Sequence, residues 1–363
     1  MIQTSKVSNI SPNRILIIQT AFLGDVILTL PLLQKTKNLF PESKIDFITI
    51  PASRNLLETH PDINELLIYD KHKTEGGFLN FVKWINKIRN SNYDLALVPH
   101  RSIRSALMAI PAKQRIGFNR SAGKIFFNQI IQYQKDRHEI NRNLFLLKPF
   151  GVDPDEKVFP KINFTKSDSL VVSQWKKNLK LKSTSKIIAV APGSVWATKR
   201  WTLEGYCKVI NDLCKIGFTV VLIGGEDDVL LGRQIEDKVA NIVYNAMGKF
   251  TLRESALLIK ESLLLLTNDS APQHLAAAVG TPVVTIFGPT VPSFGFYPYG
   301  SKDGIVEIKD LVCRPCSIHG GNKCPIGTFE CMKKIDPVDV IKQVEGILRN
   351  NPESEPNKLN HAK

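Results

Sequence analysis

Short apolar runs alternate along the chain with longer amphipathic stretches. The apolar runs are rich in Ile, Leu and Val and end at small or polar residues, which is typical of buried strands. In the first half of the chain the runs that predict strands are 14–19, 44–50, 65–70 and 94–100. Helical patterns lie between them, for example at about 25–40 and at 78–91. Strands that alternate with helices predict a parallel sheet covered on both faces.

The same alternation starts again in the second half. Strands are predicted at 186–193, 218–225, 263–268 and 282–288, and helices at 202–216, 228–240, 270–279 and 337–349. The stretch 151–168 carries two prolines and several charges, which indicates a linker. A length of 363 residues also favours two domains. We therefore predict an α/β protein with two Rossmann-like, doubly wound domains that face a central cleft.

The predicted boundaries are 1–165 for the N-terminal domain and 166–349 for the C-terminal domain. The last helix is assigned to the second domain, with packing against the first as an alternative. Residues 350–363 lack apolar periodicity and are predicted to be a disordered tail, and the polar start of the chain is predicted to be frayed. No run is apolar and long enough to span a membrane, and no signal peptide precedes Arg14, so we expect a cytoplasmic protein.

Charge is concentrated in one part of the chain. The net charge is +14, and between Arg101 and Phe150 ten lysines and arginines stand against two acidic residues. Such a basic cluster favours an anionic partner, such as nucleic acid, anionic lipid or a phosphorylated glycan. A solvated surface that only keeps the protein soluble is the alternative.

Candidate chemistry is sought where predicted strands end, because ligands of doubly wound sheets bind outside the carboxyl ends of the strands. Gly24 permits a tight turn after the first strand, and Asp25 then stands near a helix N-terminus. Asp25 is interpreted either as an N-cap or as a general base. The helix N-terminus is expected to lower the pKa of Asp25 and keep it ionised. Pro31 predicts a kink or a late start in this helix.

The loop at 192–201 follows the first strand of the second domain. Gly193 and Ser194 allow backbone N–H groups to approach an anion, and Lys199 and Arg200 supply positive charge. An ordinary solvated loop is the alternative.

Three acidic residues follow the next strand. Glu226 is placed to accept hydrogen bonds from ribose hydroxyls. Helix capping by Asp227 or Asp228 is a second interpretation, and both can hold at once.

The stretch 266–289 is the most specific segment. Asp269, Ser270 and Ala271 lie where a predicted strand passes into a helix, and small residues there leave N–H groups open to an anion. His274 follows one turn later on the same side, as a ligand contact or as a structural histidine. The segment therefore predicts a phosphate site at a helix start.

Four of the six cysteines have the spacing C-x2-C-x7-C-x6-C. They are Cys313, Cys316, Cys324 and Cys331. Three interpretations stay open: reduced packing, a structural zinc site, and disulfides.

Taken together, four segments resemble the ADP-heptose:lipopolysaccharide heptosyltransferase family. They are GDVILTLPLL at 24–33, PGSVWATKRW at 192–201, NDSAPQHLAAAVGTPVVTIFGPT at 268–290, and CRPC at 313–316 with its two later cysteines. Among the family, the second heptosyltransferases are nearest, because they also carry a cysteine-rich segment. The resemblance covers about 14–345. It implies a GT-B fold and an inverting transfer that uses no cofactor and no metal.

The resemblance also implies roles for individual residues. Asp25 matches the catalytic base, Lys199 the lysine that stabilises the donor phosphates, and Glu226 the acid that binds ribose. The implied donor-binding set is Gly24, Ser194, Thr198, Glu226, Asp269, Ser270, Ala271 and His274. The implied acceptor-binding set is Arg101, Arg104, Arg120 and Lys124, within a basic patch that also includes Arg115 and Arg142.

The implied partners are ADP-heptose, the lipopolysaccharide inner core, and the anionic inner face of the cytoplasmic membrane, with no nucleic acid. A GT-B enzyme with another nucleotide sugar or glycan acceptor is the near alternative. A non-catalytic binder of anionic glycan or nucleic acid is the distant one. The sequence carries no RNP-like aromatic signature for the latter.

Overall fold

The computed structural model describes residues 10–71, 77–182 and 184–349. The chain divides into two compact units, Met1–Asn163 and Phe164–Lys363. The predicted tail at 350–363 and residues 1–9 of the predicted frayed start lie outside the described residues.

The first unit contains one six-stranded sheet with the order β3-β2-β1-β4-β5-β6, in which every neighbouring pair is parallel. Its strands are β1 Arg14–Ile18, β2 Lys44–Thr49, β3 Glu65–Ile68, β4 Leu95–Val98, β5 Gln114–Phe118 and β6 Gln129–Ile131. Its helices are α1 Leu23–Ile27, α2 Leu30–Leu39, α3 Arg54–Leu57, α4 Phe78–Arg89, α5 Ile103–Met108 and α6 Glu139–Leu144.

The central strand β1 shows why this sheet is buried on both faces. Ile15 and Ile17 pack into one apolar cluster, and Leu16 and Ile18 pack into another. Successive side chains of a strand point to opposite faces, so a run without polar residues requires cover on both sides. The short apolar run of the sequence thus determines a central, doubly covered position.

The second unit contains a six-stranded parallel sheet with the order β12-β11-β10-β7-β8-β9. Its strands are β7 Ile187–Ala191, β8 Thr219–Leu222, β9 Tyr244–Asn245, β10 Leu264–Asn268, β11 Val283–Phe287 and β12 Gly304–Glu307. Its helices are α7 Lys166–Asn178, α8 Leu203–Lys215, α9 Val229–Lys238, α10 Leu252–Lys260, α11 Ala271–Val279, α12 Glu330–Lys333 and α13 Pro337–Arg349.

Both sheets have the doubly wound strand order, which reverses direction next to the first strand of each unit. The reversal lies between β1 and β4 in the first unit and between β7 and β10 in the second. Loops that follow these strands diverge and leave room for a ligand. The strand order therefore predicts that ligand-binding residues follow β1, β4, β7 and β10.

The predicted strands are all present, while β5, β6, β9 and β12 were not predicted. The predicted helix at 25–40 is divided, because Pro31 occupies the first turn of a new helix that begins at Leu30. The last helix, α13, packs against α8 and β12 of its own unit. None of the helices in the described ranges combines the length and the apolar character needed to cross a bilayer.

Candidate active site

All but one of the residues predicted to bind the donor follow the carboxyl ends of β7, β8 and β10; the exception, Gly24, lies in α1 of the first unit. These strands are neighbours in the sheet of the second unit, in the order β10-β7-β8. In a parallel sheet these ends lie at one edge. The structure therefore brings three separate segments of the sequence to the same edge.

Lys199 and Asp269 form an ion pair at this edge. The Nζ of Lys199 is 2.6 Å from Oδ2 of Asp269, and both side chains are largely buried. The same carboxylate oxygen accepts a 2.6 Å hydrogen bond from the hydroxyl of Thr290, and Oδ1 accepts one of 3.1 Å from Gln273. These bonds fix the carboxylate and, through it, the position of the lysine amine.

The helix α11 begins next to this pair. Its N-cap, Ser270, has extended backbone angles, and its side chain makes no capping hydrogen bond. The Ser270 hydroxyl donates instead to the carbonyl of Asn268 at 3.3 Å. Ala271 is the first helical residue and carries no bulk that would cover the helix end. An uncapped helix N-terminus beside a lysine favours an anion.

His274 lies in the first part of α11 and is buried. Burial lowers its pKa to about 3, and the positive charge of Lys199 acts in the same direction. The imidazole is therefore neutral at physiological pH. It contributes a hydrogen-bonding group next to the lysine and not a second positive charge.

The acidic loop after β8 contains one partly buried carboxylate, that of Asp228, and two exposed ones, those of Glu226 and Asp227. Asp228 is the N-cap residue of α9 but makes no side-chain capping bond to that helix; it accepts instead a 3.1 Å hydrogen bond from the N–H of Gly225, at the start of the 3-10 turn Glu226–Asp228. Burial raises the pKa of Asp228. Glu226 directly follows the glycines and is exposed. Glu226 and Asp227 both present their carboxylates to solvent, and Glu226 is the nearer of the two to the strand.

The loop after β7 is held by contacts to its own residues and to its neighbours. Arg200 donates from Nε to the carbonyl of Ser194 at 2.8 Å. Thr198 is buried, and its hydroxyl both donates to the carbonyl of Gly321 and accepts from its N–H. In this structure the Thr198 hydroxyl is thus engaged in holding the loop.

Sequence reasoning missed Asn268, the last residue of β10. Its Oδ1 accepts hydrogen bonds from the N–H of Trp201 at 3.0 Å and from the hydroxyl of Tyr206 at 2.9 Å. Its Nδ2 donates to the carbonyl of Pro192 at 2.7 Å. Asn268 therefore joins the loops after β7 and β10, and a polar residue at the end of an otherwise apolar strand was the available signal.

In the first unit Asp25 occupies the first turn of α1, whose N-cap is Phe22. The interpretation of Asp25 as an N-cap is therefore wrong. Gly24 is also helical and does not form the predicted tight turn. The predicted position of Asp25 near a helix N-terminus, after β1, is confirmed.

The pKa expected for Asp25 was also wrong in direction. Burial raises the pKa of Asp25 to about 7, and the negative charge of Glu139 adds to the rise. The backbone N–H groups of Phe22 and Asp25 and the charge of Arg101 act in the opposite direction. Desolvation thus exceeds the stabilisation that the helix N-terminus gives to the carboxylate.

Glu139 belongs to a buried polar group that sequence reasoning missed. Its Oε2 accepts a 2.9 Å hydrogen bond from Arg142 and one of 3.3 Å from the hydroxyl of Tyr133. The guanidinium of Arg101 lies 4.4 Å from the centroid of the Tyr133 ring. The group therefore joins an internal carboxylate to one of the predicted acceptor residues.

The four predicted acceptor residues are exposed and follow β4 and β5, which are neighbours in the sheet. They are Arg101, Arg104, Arg120 and Lys124. Ala122 donates its N–H to the carbonyl of Arg101 at 3.0 Å, so the two loops are in contact. The structure thus gathers these charges on one surface of the first unit.

Of the two other members of the predicted basic patch, Arg142 is buried and Arg115 is partly buried. Arg115 donates to the carbonyls of Phe126 and Ala112, and Arg142 is buried in its ion pair with Glu139. Backbone carbonyls and a buried carboxylate thus already hold these two guanidinium groups.

A polar cluster around His100 was also missed. The Nδ1 of His100 lies 2.9 Å from the hydroxyls of both Thr20 and Ser105. Burial lowers the pKa of His100 to about 4, so the ring is neutral near pH 7. Thr20 follows β1 and His100 follows β4, which places the cluster at the reversal point of this sheet.

The four clustered cysteines are free thiols. Burial raises the pKa of Cys331 to about 11, and the nearby Cys316, Cys313 and Cys324 contribute to the rise. Across the described ranges no three His, Cys, Asp or Glu side chains are grouped so that they could hold a metal ion. The four thiols thus lie near one another within one segment of the second unit.

Two doubly wound units, each built on a six-stranded parallel sheet, are the architecture of GT-B glycosyltransferases. Comparisons with known proteins agree with this class. A glycosyltransferase family 9 protein from Veillonella parvula has a TM-score of 0.84 and 24% identity, covering 93% of this chain and 98% of that chain. Escherichia coli ADP-heptose lipopolysaccharide heptosyltransferase II has a TM-score of 0.76 and 22% identity, covering 93% and 99%.

The family profile is more specific. The profile of glycosyltransferase family 9 (heptosyltransferase) matches residues 81–322. Lipooligosaccharide heptosyltransferase 2 of Haemophilus influenzae is 26% identical over 308 residues, which cover 81% of this chain and 88% of that protein. The chain belongs to glycosyltransferase family 9 and is a glycosyltransferase, and family members transfer heptose in lipopolysaccharide core biosynthesis.

Proposed function

We propose that this enzyme transfers heptose from ADP-L-glycero-D-manno-heptose to the inner core of lipopolysaccharide, with inversion at the anomeric carbon. The observation that carries the proposal is the Lys199–Asp269 pair next to the uncapped start of α11. A helix N-terminus and a lysine suit a nucleoside diphosphate, because both offset negative charge. Membership of family 9 supports heptose as the sugar.

Asp25 acts as the general base in this scheme. Its carboxylate takes the proton from the acceptor hydroxyl as the oxygen attacks the anomeric carbon, and the bond from that carbon to ADP breaks on the opposite face. A pKa of about 7 suits this role, because a base works best when its pKa is near the operating pH. Such general-base assistance typically accelerates a reaction by about 10²- to 10⁴-fold.

Lys199 and the start of α11 offset the charge that develops on the leaving β-phosphate. Asp269 holds the lysine in place, and the exposed Glu226 accepts hydrogen bonds from the ribose hydroxyls. Ser194, Ser270, Ala271 and His274 line the phosphate side of this site, and Thr198 holds the loop. Gly24, next to the proposed base in the first unit, belongs to the proposed donor-binding set. No metal ion or cofactor takes part in this scheme.

The acceptor's carboxylates and phosphates are bound by Arg101, Arg104, Arg120 and Lys124. Their exposure after β4 and β5 supports this assignment. The base and the acceptor residues belong to one unit and the donor-phosphate residues to the other. Both units are therefore required for turnover.

We also propose that the first unit contacts an anionic membrane surface from the cytoplasm. Three aliphatic side chains, Leu79, Ile103 and Ile125, are 75%, 51% and 80% exposed. They belong to α4, α5 and the turn after Gly123, which adjoin one another: Arg104 on α5 lies over the Phe81 ring of α4, and Gly123 packs on Ala106. Exposed aliphatic groups among basic side chains favour a surface of anionic lipid.

A donor competition assay tests the proposed activity. The enzyme is incubated with a defined lipid A–Kdo acceptor and ADP-heptose, alone and mixed with other nucleotide sugars, and the products are identified by mass spectrometry. We expect a single heptosyl addition, unaffected by the competitors at equal concentration. Transfer of another sugar in preference to heptose would favour the alternative of a GT-B enzyme with a different donor.

A further inference from the structure

The cysteine-rich segment, residues 311–331, has no part in the scheme above, yet it contacts the donor-phosphate residues at two places. One contact is to the loop that carries Lys199, and the other is to the loop after β11. The side chains at these contacts, those of Thr198, Thr290 and Arg314, are buried. We propose that this segment is a brace that positions the Lys199–Asp269 pair, with Arg314 and Thr290 as its positioning residues.

The first contact involves Thr198, the neighbour of Lys199 in the chain, and the side chain of Lys199 itself. The N–H and hydroxyl of Thr198 each donate to the carbonyl of Gly321 at 2.9 Å, and the N–H of Gly321 donates back to the hydroxyl at 2.8 Å. Gly320 has a φ of +89°, and a Cβ there would lie 3.1 Å from Cγ of Lys199. The stem of the lysine thus rests on backbone that a side chain would displace.

The second contact is made by Arg314, whose side chain is 2% exposed. Its guanidinium donates to the carbonyl of Gly288 at 2.5 Å and to the carbonyl of Thr290 at 2.7 Å. It also donates to the carboxylate of Glu307 at 2.6 Å. The N–H of Cys316 donates to the carbonyl of Pro289 at 3.0 Å. Residues 288–290 are therefore held along their backbone by the brace.

The loop 288–290 transmits this restraint to the ion pair. Thr290 is buried, and its hydroxyl donates at 2.6 Å to Oδ2 of Asp269, the same oxygen that Lys199 contacts. Arg314 orders Thr290, Thr290 orders Asp269, and Asp269 orders Lys199. A lysine amine displaced by a fraction of an ångström stabilises a phosphate less well, because the interaction depends on fixed geometry.

The test uses Thr290→Val, which keeps the shape of the side chain and removes its donor. Because the lost hydrogen bond is to a charged group, we expect the Kd for ADP, measured by calorimetry, to rise about tenfold. The kcat with ADP-heptose should fall, while KM for the acceptor stays at the wild-type value. Thr290→Ser keeps the hydroxyl and should restore both values to near wild type.

Arg314→Lys provides a second route to the same pair. Lysine cannot reproduce the forked donors of arginine, so this variant should show the same loss of ADP affinity. The double variant Arg314→Lys/Thr290→Val should bind ADP little more weakly than either single variant, since both act through Asp269.

Arg253→Lys is the matched control: Arg253 is buried in the same unit, in an ion pair with Asp168. It should change thermal stability without changing ADP affinity.

Two results would overturn the brace. One is a Thr290→Val enzyme with wild-type Kd for ADP and wild-type kcat. The other is a Thr290→Ser enzyme as impaired as Thr290→Val although both unfold at the wild-type temperature. The proposal rests on the proposed function for its kinetic readout, whereas ADP binding reports on it separately. An enzyme that binds ADP but transfers no heptose contradicts the proposed function and still tests the brace.

Discussion

The properties of Asp25 come from its neighbours and not from its position in sequence alone. Burial and the charge of Glu139 raise its pKa to about 7, although it lies in the first turn of a helix. At neutral pH the carboxyl is therefore divided between protonated and ionised forms. Only the ionised form can accept the proton of a hydroxyl, so the proposed reaction should depend on pH near neutrality.

The pH dependence of kcat/KM tests this assignment. Because the pKa of Asp25 is raised, the base is lost as pH falls through about 7, and the rate should decrease about tenfold per pH unit below it. Removing the like charge with Glu139→Gln should move this acid limb to lower pH. An acid limb near the ordinary pKa of aspartate, unmoved by Glu139→Gln, would contradict the account.

At the residue scale, sequence reasoning identified the positions of the site residues better than it identified their protonation states. It placed Asp25, Lys199 and Asp269 at strand ends because strand ends are visible as breaks in the apolar pattern. It could not give the pKa of Asp25, because Glu139 is 114 residues away in the chain and reaches Asp25 only through the fold. Sequence reasoning could apply only local rules such as the helix dipole, which lowers the pKa of a carboxyl group. For Asp25 the opposing effect of desolvation on the pKa is larger.

At the scale of elements, the loops after β7 and β8 are packed closely against each other. A Cβ on Gly193 would lie 2.1 Å from Oδ1 of Asp228, a carboxylate that already accepts a hydrogen bond from Gly225. Gly225 itself has no atom within 4 Å of the corresponding position. Gly193 therefore has no room for a side chain, whereas Gly225 has.

We expect Gly193→Ala to displace Asp228 and to cost about 1–3 kcal/mol of stability, with weaker ADP binding. Gly225→Ala, the matched control, should change the free energy of unfolding by less than about 0.5 kcal/mol. Thermal unfolding and calorimetry with ADP measure both effects. If Gly193→Ala is as stable as Gly225→Ala, the close packing of the two loops is wrong.

Two of the four strands that sequence patterns missed, β6 and β9, have a common physical reason. β9 has two residues, and β6 has three residues with little burial, so neither produces an apolar run. The division of the predicted helix at 25–40 was foreseeable, because proline cannot continue a helix but fits its first turn. Central strands such as β1 and β10 are long apolar runs and were predicted correctly.

At the scale of the whole molecule, positive charge and exposed aliphatic groups occur together on the first unit. Leu79 and Ile125 are among the most exposed aliphatic side chains in the described residues, and Lys124 is next to Ile125. Ile242 of the second unit is 79% exposed and serves as a comparison. The basic excess between Arg101 and Phe150, seen in the sequence, is partly internal, and its exposed part is the part that can meet a membrane.

Vesicle sedimentation tests the membrane surface. Wild-type enzyme should bind vesicles that contain phosphatidylglycerol, not vesicles of phosphatidylcholine alone, and high salt should weaken the binding. The variant Leu79→Ser/Ile125→Ser should lose most of this binding, whereas Ile242→Ser should bind like wild type. Equal loss of vesicle binding in both variants would contradict a membrane-binding surface located on the first unit.

The most direct measurement is heptose transfer by Asp25→Asn, made beside wild type with ADP-heptose and a lipid A–Kdo acceptor. The amide keeps the shape of the carboxyl and cannot take up the proton, so product measured by mass spectrometry should fall at least about 100-fold. The Kd for ADP should not change, because Lys199 and α11 lie in the other unit. Transfer by Asp25→Asn at the wild-type rate would contradict the account.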